Sequence, residues 1–380
     1  MAKKEVSVTF NTITPLWTGD AWQDNSEIRP SSLMGSLRFW FEVICYFSGI
    51  CKIEKENNRI VNIKEGRFEK EVNKKDFREC ILERGNDFQA KIECLNEQNI
   101  LLPSIIFGTT NWKSLIEIKD IEYLENYCFG NYLNLPYAIA FYKKNNNDEP
   151  QEFKTREELN TFINNRYKNI RDWKEKQKKF REEYSVFYFP IPYFYGKFSV
   201  TFKIDEIEKS IFFPLLTFME QYGFWGGKWN IGYGRLEIKS VEENNQEINN
   251  WQSKEFDLSV VQKDKKINFT EFIKFENKFE NLTKKENKIK VLHPISSNSD
   301  FKEIIKILIQ RKSLERASFR EDDEERHKIF GKTGNPRQIP YVPQGSKILP
   351  YIYKEGKEFK GGFISVAGLL NLERIGDRDG

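Results

Sequence analysis

The densest group of residues able to hold a ligand lies in the middle of the chain, in the stretch 223-GFWGGKWNIGYGRLE-237. Glycines let a backbone approach a partner closely, the two cations can meet phosphates, and the aromatic rings can stack on nucleobases or pack inward. The stretch therefore indicates either a contact with single-stranded nucleic acid or a structural loop with buried aromatic side chains. The candidate contact residues are Gly226, Gly227, Lys228, Trp229 and Arg235.

The glycines do not match the phosphate-binding loops of nucleotide enzymes. A P-loop requires G-x-x-x-x-G-K-[ST], whereas the run from Gly223 to Lys228 is one residue short, and Arg326 stands where the GKT at 331–333 needs its leading glycine. A dinucleotide-binding fingerprint must open a helix, but the last two glycines of the stretch lead into a strand-like segment. Both nucleotide-binding interpretations fail.

A second candidate site lies at the start of a predicted helix, in 28-IRPSSLMGSLRFW-40. Amides at a helix start attract anions, and Arg29 and Arg38 add positive charge there. Ser31 or Ser32 is placed to cap the first turn. The alternative is a capped core helix in which Arg38 pairs with Glu42, four residues further along.

Residues for catalysis or metal binding are sparse. The chain has two histidines, His293 and His327, separated by a helix and a charged run, which is a poor basis for a triad or a metal site. The carboxylates of 321-EDDEE-325 are contiguous and do not converge on a common point, which favours a solvated interpretation. Asp20 and Asp24 precede the first helix and are the carboxylates nearest the suspected binding face. We predict no cofactor and no metal.

The composition predicts a globular protein of two domains with a local anion site. The chain has 380 residues, and single cores stop growing at roughly 250–300 residues. Lys and Arg number 61 and Asp and Glu 57, so the excess of +4 is too small for a wholly basic surface. The five cysteines form no C-x-x-C pair, which predicts reduced, cytosolic residues that fill cores. The sequence shows no signal peptide and no membrane-spanning run.

The predicted elements form an α+β pattern. In the first half, a strand at 5–14 precedes a helix at 30–47, and further strands follow. A helix at 206–222 then leads through the glycine-rich segment 223–234, the glycine loop, to a strand at 235–241. The Lys/Glu-rich segment 143–184 is predicted to be an inserted, solvent-facing helical segment. A polar linker is predicted at 242–250. In the second half strand-like pieces surround a helix at 300–310, and 329-IFGKTGNP-336 repeats the pattern of 106-IFGTTNWK-113 before a strand.

Together these segments resemble the RAMP superfamily of CRISPR proteins, and more narrowly the first RAMP subunits of Cmr (type III-B) effector complexes. The resemblance is carried by 12-TITPLWTGD-20, 27-EIRPSSLMGSLRFW-40, 106-IFGTTNWKS-114 and 232-GYGRLEI-238. It covers about the first 240 residues in blocks and extends more loosely through 326-RHKIFGK-332, 345-GSKI-348 and 361-GGFISVAGLL-370.

The resemblance implies two ferredoxin-like (RRM-like) domains, residues 1–241 with the helical insertion and residues 251–380. It implies a cytoplasmic, non-catalytic subunit that acts in antiviral defence beside other Cmr-type RAMP subunits, contacts the 3′ portion of the guide RNA and helps to seat the target RNA. The RNA-binding residues that it implies are Arg29, Ser31, Ser32, Arg38, Gly226, Gly227, Lys228, Trp229, Arg235, Lys332, Arg337 and Lys347.

Two alternatives stay open at this point. One is a RAMP-type endoribonuclease that processes guide RNA without a metal, using His327 or Asp20. The other is a scaffold whose aromatic residues contact protein partners and not RNA.

Overall fold

The structure is a computed structural model that describes residues 3–19, 22, 24–50, 71–143, 149–205, 207–261, 265–284, 286–319, 326, 329–330 and 346–368. The helices are α1 (Pro30–Phe47), α2 (Lys74–Arg84), α3 (Phe88–Glu97), α4 (Leu102–Phe107), α5 (Arg156–Arg166), α6 (Trp173–Glu183), α7 (Phe213–Gln221), α8 (Phe279–Thr283) and α9 (Phe301–Ala317). The strands are β1 (Lys4–Thr12), β2 (Ile116–Tyr123), β3 (Cys128–Gly130), β4 (Ala138–Tyr142), β5 (Gln151–Phe153), β6 (Tyr184–Tyr188), β7 (Tyr193–Tyr195), β8 (Lys197–Ile204), β9 (Leu236–Glu243), β10 (Gln246–Glu247), β11 (Glu255–Asp257), β12 (Lys266–Asn268), β13 (Ile273–Glu276), β14 (Ile289–Asn298), β15 (Ile348–Glu355) and β16 (Glu358–Ser365).

The N-terminal half is built on a five-stranded sheet in the order β10-β9-β1-β8-β2. β1 pairs antiparallel with β8 and β9, and β8 pairs antiparallel with β2. With α1 between β1 and β2, and α7 between β8 and β9, the chain follows the β-α-β-β-α-β course of a ferredoxin-like unit. β1 alternates buried and partly exposed residues, as the sequence pattern predicts. The predicted α+β class is confirmed.

Helix α1 packs one face into the core of this unit. Leu37, Trp40 and Ile44 are fully buried, and Leu33 nearly so, and each such side chain contributes roughly 1.5–3 kcal/mol. The predicted serine cap is wrong. Pro30 occupies the first helical position, where its fixed φ and missing N–H are favourable, so Arg29 is the N-cap and no side chain among the described residues caps the helix.

The segment 143–184, predicted as an inserted, solvent-facing helical segment, contains the helices α5 and α6, with small strands beside them. β4 pairs with β5 and β6 in a three-stranded sheet. A separate core of this segment includes Leu159, Ile163, Phe180 and Tyr184. The apolar residues of the insertion therefore pack together with the small sheet and form a core of their own.

A second sheet has the order β13-β14-β16-β15. The run β14-α9-β15-β16 gives the β-α-β-β part of a ferredoxin-like unit, and β13 lies parallel to β14 at the edge. Ile329 and Phe330 are buried ahead of β15, as Ile106 and Phe107 are ahead of β2. The rest of the second motif lies outside the described residues.

The predicted linker is wrong in part, because β10 folds back on β9. Residues on both sides of it share one hydrophobic core, from Val8 and Trp40 to Phe256, Val291 and Ile364. A division at residues 241 and 251 into separate domains stays a prediction.

Cys80 and Cys94 form a disulfide between α2 and α3, with Cα atoms 5.8 Å apart. The prediction of reduced cysteines is therefore wrong for this pair. The partners are 14 residues apart on two helices, a spacing that a search for C-x-x-C does not detect. Cys45 is buried, as predicted for a core residue.

None of the helices in the described part of the chain has the length and apolar character needed to cross a bilayer.

Candidate nucleic-acid interface

One groove, of about 320 Å³, joins the two segments that the sequence singled out. It lies between the N-terminal half of α1, the segment that follows β1, and the glycine loop between α7 and β9. Its lining residues are Trp17, Thr18, Gly19, Ser32, Gly35, Ser36, Arg38, Phe39, Glu42, Gly226, Gly227 and Trp229. Five of the predicted site residues, from positions far apart in the sequence, therefore share one surface.

Thr18 fixes the connection between β1 and α1. Its amide donates to Asn25 Oδ1 at 2.7 Å, and its hydroxyl donates to the carbonyl of Glu27 at 2.9 Å and accepts from the amide of Arg29 at 3.1 Å. Ser32 Oγ donates to the Thr18 carbonyl at 3.3 Å. Sequence reasoning missed Thr18 and Asn25 as site-forming residues, although Thr18 lies inside the T-P-L-W-T-G-D run that carries the family resemblance.

The glycines at 226 and 227 bring the loop against Trp17. Gly226 has a φ of +68°, and a Cβ there would lie 2.4 Å from the Trp17 carbonyl oxygen. The Gly226 amide donates to Ser36 Oγ at 2.9 Å, and the Gly227 amide donates to the Trp17 carbonyl at 2.7 Å. The close approach that these glycines permit is thus to the protein itself, and they shape the groove with amides that are already bonded.

Most aromatic residues of the loop pack inward. Phe224, Trp225 and Tyr233 are almost completely buried. Trp229 is partly exposed in the groove, with its ring centroid 5.2 Å from that of Phe39 and its indole N–H donating to the Trp225 carbonyl at 3.2 Å. Of the aromatic rings in the loop, Trp229 is therefore partly exposed for stacking, and the other three pack in the core.

Lys228 stands between two lining residues of the groove, in a left-handed backbone conformation with a φ of 64°. Its Nζ lies 4.5 Å from the centroid of the Trp17 ring, a cation–π contact. Partial burial lowers the pKa of the Lys228 ammonium below its ordinary value. Because Trp17 lines the groove, this contact places the Lys228 ammonium against an aromatic residue of the groove wall.

Arg38 and Arg29 contribute less free charge than the sequence suggests. Arg38 Nε donates to Glu42 Oε1 at 2.9 Å, and its Nη1 donates to the Gly108 carbonyl at 2.8 Å. The Arg38–Glu42 pair of the alternative interpretation is thus present, and it lies in the wall of the groove. Arg29 Nη1 lies 3.5 Å from Glu27 Oε1. Ser31 is exposed in the first turn of α1.

Arg235 belongs to the interior, in contrast to its predicted role. It is 1 % exposed, and its Nη2 donates to the carbonyls of Glu220 at 2.6 Å and Gln221 at 3.1 Å. Its Nη1 donates to the carbonyls of Met219 and Gly223. The guanidinium caps the C-terminus of α7, where carbonyls are left without helical partners, so Arg235 leaves the set of candidate RNA contacts.

The remaining candidates are not among the described residues that line the groove. Lys332, Arg337, Asp20, His327 and the 321–325 carboxylates fall outside the described residues. Lys347 is half-buried, and burial lowers the pKa of its ammonium to about 8. Asp24 is exposed and accepts from Ser26 Oγ at 3.0 Å, and His293 stacks on Phe275 with ring centroids 5.1 Å apart. No group of three or more His, Cys, Asp or Glu side chains among the described residues could hold a metal ion.

The first sheet and its two helices define an α+β protein built on a ferredoxin-like unit. Comparison with protein families matches residues 9–237 to the RAMP superfamily, so the chain belongs to the RAMP superfamily. Among solved structures it is similar to the crystal structure of Cmr1 from Pyrococcus furiosus (apo form), with 12% sequence identity and a TM-score of 0.39 over 95% of this chain and 87% of that one. No curated protein matches the sequence.

Proposed function

We propose that this protein is a non-catalytic RNA-binding subunit of a type III-B (Cmr) CRISPR ribonucleoprotein effector. In this role it works in the cytoplasm in antiviral defence, contacts the 3′ portion of the guide RNA and helps to seat the target RNA beside other Cmr-type RAMP subunits. Membership of the RAMP superfamily supports the proposal. The most specific part of the Cmr resemblance, the run from Thr12 to Trp40, supplies two walls of the groove.

The observation that carries the proposal is the groove that joins α1 to the glycine loop, with the Lys228 ammonium held against Trp17, one of its lining residues. The N-terminus of α1 has no side-chain cap among the described residues, but Pro30 has no N–H and the Ser32 amide donates to the Arg29 carbonyl, so the helix dipole is the main attraction that it offers a phosphate. Lys228 supplies a cation, and the hydroxyls of Ser31 and Ser32 can bond to ribose or phosphate oxygens. The partly exposed Trp229 and Phe39 offer a face for a base. Together these groups recognise a ribose-phosphate strand without reading its sequence.

The experiment that tests the proposal is a titration of short single-stranded RNA by fluorescence anisotropy at low salt, with the Lys228→Ala variant beside the parent. We expect weak binding by the parent, a several-fold loss in the variant, and a slope of log K against log salt that is smaller by about 0.7, the value for one lost phosphate contact on a single strand. Lys239→Ala is the matched control, because Lys239 is an exposed lysine on β9 that pairs with Glu237 at 2.6 Å. Equal binding by parent and Lys228→Ala would remove the groove from the proposal.

The same preparations separate the two rival functions. Specific cleavage of repeat RNA in EDTA by the parent protein would establish the endoribonuclease alternative, and His327→Ala tests its proposed acid–base residue. Failure of the subunit to crosslink to guide RNA within an assembled complex would favour the scaffold.

A further inference from the structure

The C-terminal part of the chain contacts the glycine loop through residues that do not line the groove. Lys312, on α9, donates from Nζ to the carbonyl of Asn230 at 3.3 Å. Asn230 lies in the 3₁₀ turn Trp229–Ile231, directly after Lys228. Lys312 is 1 % exposed, so its ammonium cannot reach a ligand in the groove and acts on the backbone of the loop.

Gly232 continues the same contact. It has a φ of +80°, and a Cβ at this position would lie 2.8 Å from Ile305 Cδ1 on α9, 3.3 Å from Ile352 Cδ1 and 3.4 Å from Pro350 Cβ on β15. The loop therefore rests on the surface that α9 and β15 form. A larger residue would push the loop away from this surface.

Both ends of the loop are tied to the same strand. Before the loop, the Gln221 carbonyl accepts from the hydroxyl of Tyr351 at 2.5 Å. After the loop, Arg235 Nε donates to the Ile352 carbonyl at 3.3 Å, and the guanidinium lies 4.8 Å from the centroid of the Tyr351 ring. With Lys312 at the middle, the C-terminal part of the chain holds the loop at three points.

We infer that α9 and β15 hold the glycine loop in the conformation that forms the groove, and that Lys312 is the positioning residue at its centre. The inference rests on the proposed function for the role of the groove, but its structural part concerns the loop alone. Burial of an ammonium is costly unless it is paired, and burial lowers the pKa of Lys312 well below its ordinary value. The described hydrogen bond of that ammonium is to a backbone carbonyl of the loop. An apolar residue at this position could not donate that bond.

The test uses the full chain with Lys312→Met, a substitution that keeps an unbranched apolar side chain, one heavy atom shorter, and removes its donor. Hydrogen exchange measured by mass spectrometry on peptides covering 223–234 is expected to rise about tenfold in the RNA-free variant, because local opening becomes easier when one anchoring bond is lost. RNA affinity is expected to fall several-fold with an unchanged salt slope, since Lys312 contacts no phosphate. Lys228→Ala is expected to lower the slope instead.

Lys306→Met is the matched control, because Lys306 lies on the same helix and pairs with Glu152 at 2.7 Å, away from the loop. It should leave exchange at 223–234 unchanged.

Tyr351→Phe, which removes a single hydroxyl, provides a second variant with the same expected direction if Lys312→Met does not fold. Unchanged exchange at 223–234 in a folded variant would overturn the inference, and so would a reduced salt slope in Lys312→Met. Absence of RNA binding by the parent would contradict the proposed function, while the exchange result would still decide the positioning role.

Discussion

The hydroxyl of Ser36 accepts a hydrogen bond from the amide of Gly226 at 2.9 Å and thereby joins α1 to the glycine loop across 190 residues of sequence. The same hydroxyl donates to the Ser32 carbonyl at 2.9 Å, one turn earlier in the helix. Both of its bonds are thus fixed within the wall of the groove. The two segments whose residue types suggested a ligand site are therefore held together directly.

Replacement of Ser36 by alanine should loosen this junction. The Gly226 amide, which is partly buried at the groove, would lose its acceptor, and the net loss of one hydrogen bond costs about 0.5–1.5 kcal/mol. We expect a loss of that order in the free energy of urea unfolding and a several-fold weaker affinity for single-stranded RNA. Ser199→Ala, on the partly exposed side of β8, is the control and should change neither quantity. Parent-like stability in Ser36→Ala would show that this bond does not hold the groove.

The lowered pKa of Lys228 predicts a pH dependence of RNA binding. Since burial disfavours the ammonium, Lys228 loses its charge at a lower pH than an exposed lysine does, and a bound phosphate favours the charged form. Affinity should therefore fall as pH rises through alkaline values that lie below the ordinary lysine pKa of about 10.4, with proton uptake on binding over that range. Lys228→Arg should remove the decline, because a guanidinium stays protonated there. Lys239→Arg should keep the decline, and a flat parent profile would contradict the assignment of Lys228.

The sequence predicted α1 and the first sheet because local patterns determine them: Leu33, Leu37, Trp40 and Ile44 recur at helical spacing and are buried. Through its residue types, the sequence also marked the helix start and the glycine loop as candidate binding sites. It did not predict the buried role of Arg235, because the groups that surround this side chain include the Ile352 carbonyl, 117 residues further along the chain. Nor did it predict that Gly226 approaches Trp17. Residue type shows which contacts a loop can make, and tertiary structure decides which of them it makes.

The capping role of Arg235 predicts a loss of stability and not a loss of phosphate contact. Arg235→Met would leave carbonyls at the end of α7 without donors inside the core, which should cost roughly 3–5 kcal/mol. Arg235→Lys should recover only part of this, because one ammonium cannot replace a planar fork of donors. Lys239→Met, on the exposed side of the same strand, is the control for unfolding measurements. A stable Arg235→Met variant with a reduced salt slope for RNA would instead restore the role predicted from the sequence.

Because the disulfide between Cys80 and Cys94 joins α2 to α3, we predict that α2 stays packed only while this pair is oxidised. None of the residues of α2, all of which the structure describes, is buried, and the pair closes a loop of 14 residues, worth about 3 kcal/mol in the chain-entropy account. Reduction by a dithiol should therefore increase tryptic cleavage at Arg78 and Arg84 without unfolding the sheet. Cys80→Ser should behave like the reduced protein, and Cys128→Ser like the parent. Because cytosolic proteins are normally kept reduced, alkylation of thiols in freshly lysed cells would show whether the cell contains the reduced or the oxidised form. Tryptic cleavage that does not change with reductant would contradict the role of the disulfide in holding α2 in place.

Glu220, at the C-terminal end of α7, predicts a pH-dependent contribution to stability with a definite sign. Burial raises the pKa of its carboxyl above the ordinary value, although the carboxylate accepts from the Ile238 amide at 2.9 Å and from Gln252 Nε2 at 3.2 Å. A carboxyl whose folded pKa is raised stabilises the fold while it is protonated, so its contribution is complete below the unfolded pKa and is lost as pH rises through the folded pKa. Glu220→Gln should therefore be more stable than the parent at pH ~7, with the difference shrinking towards pH ~4. Urea unfolding across this range measures the difference. Glu242→Gln, a partly exposed residue on the same strand, is the control. A Glu220→Gln variant that is less stable than the parent at neutral pH would show that the charged carboxylate, through its two hydrogen bonds, stabilises this end of the helix.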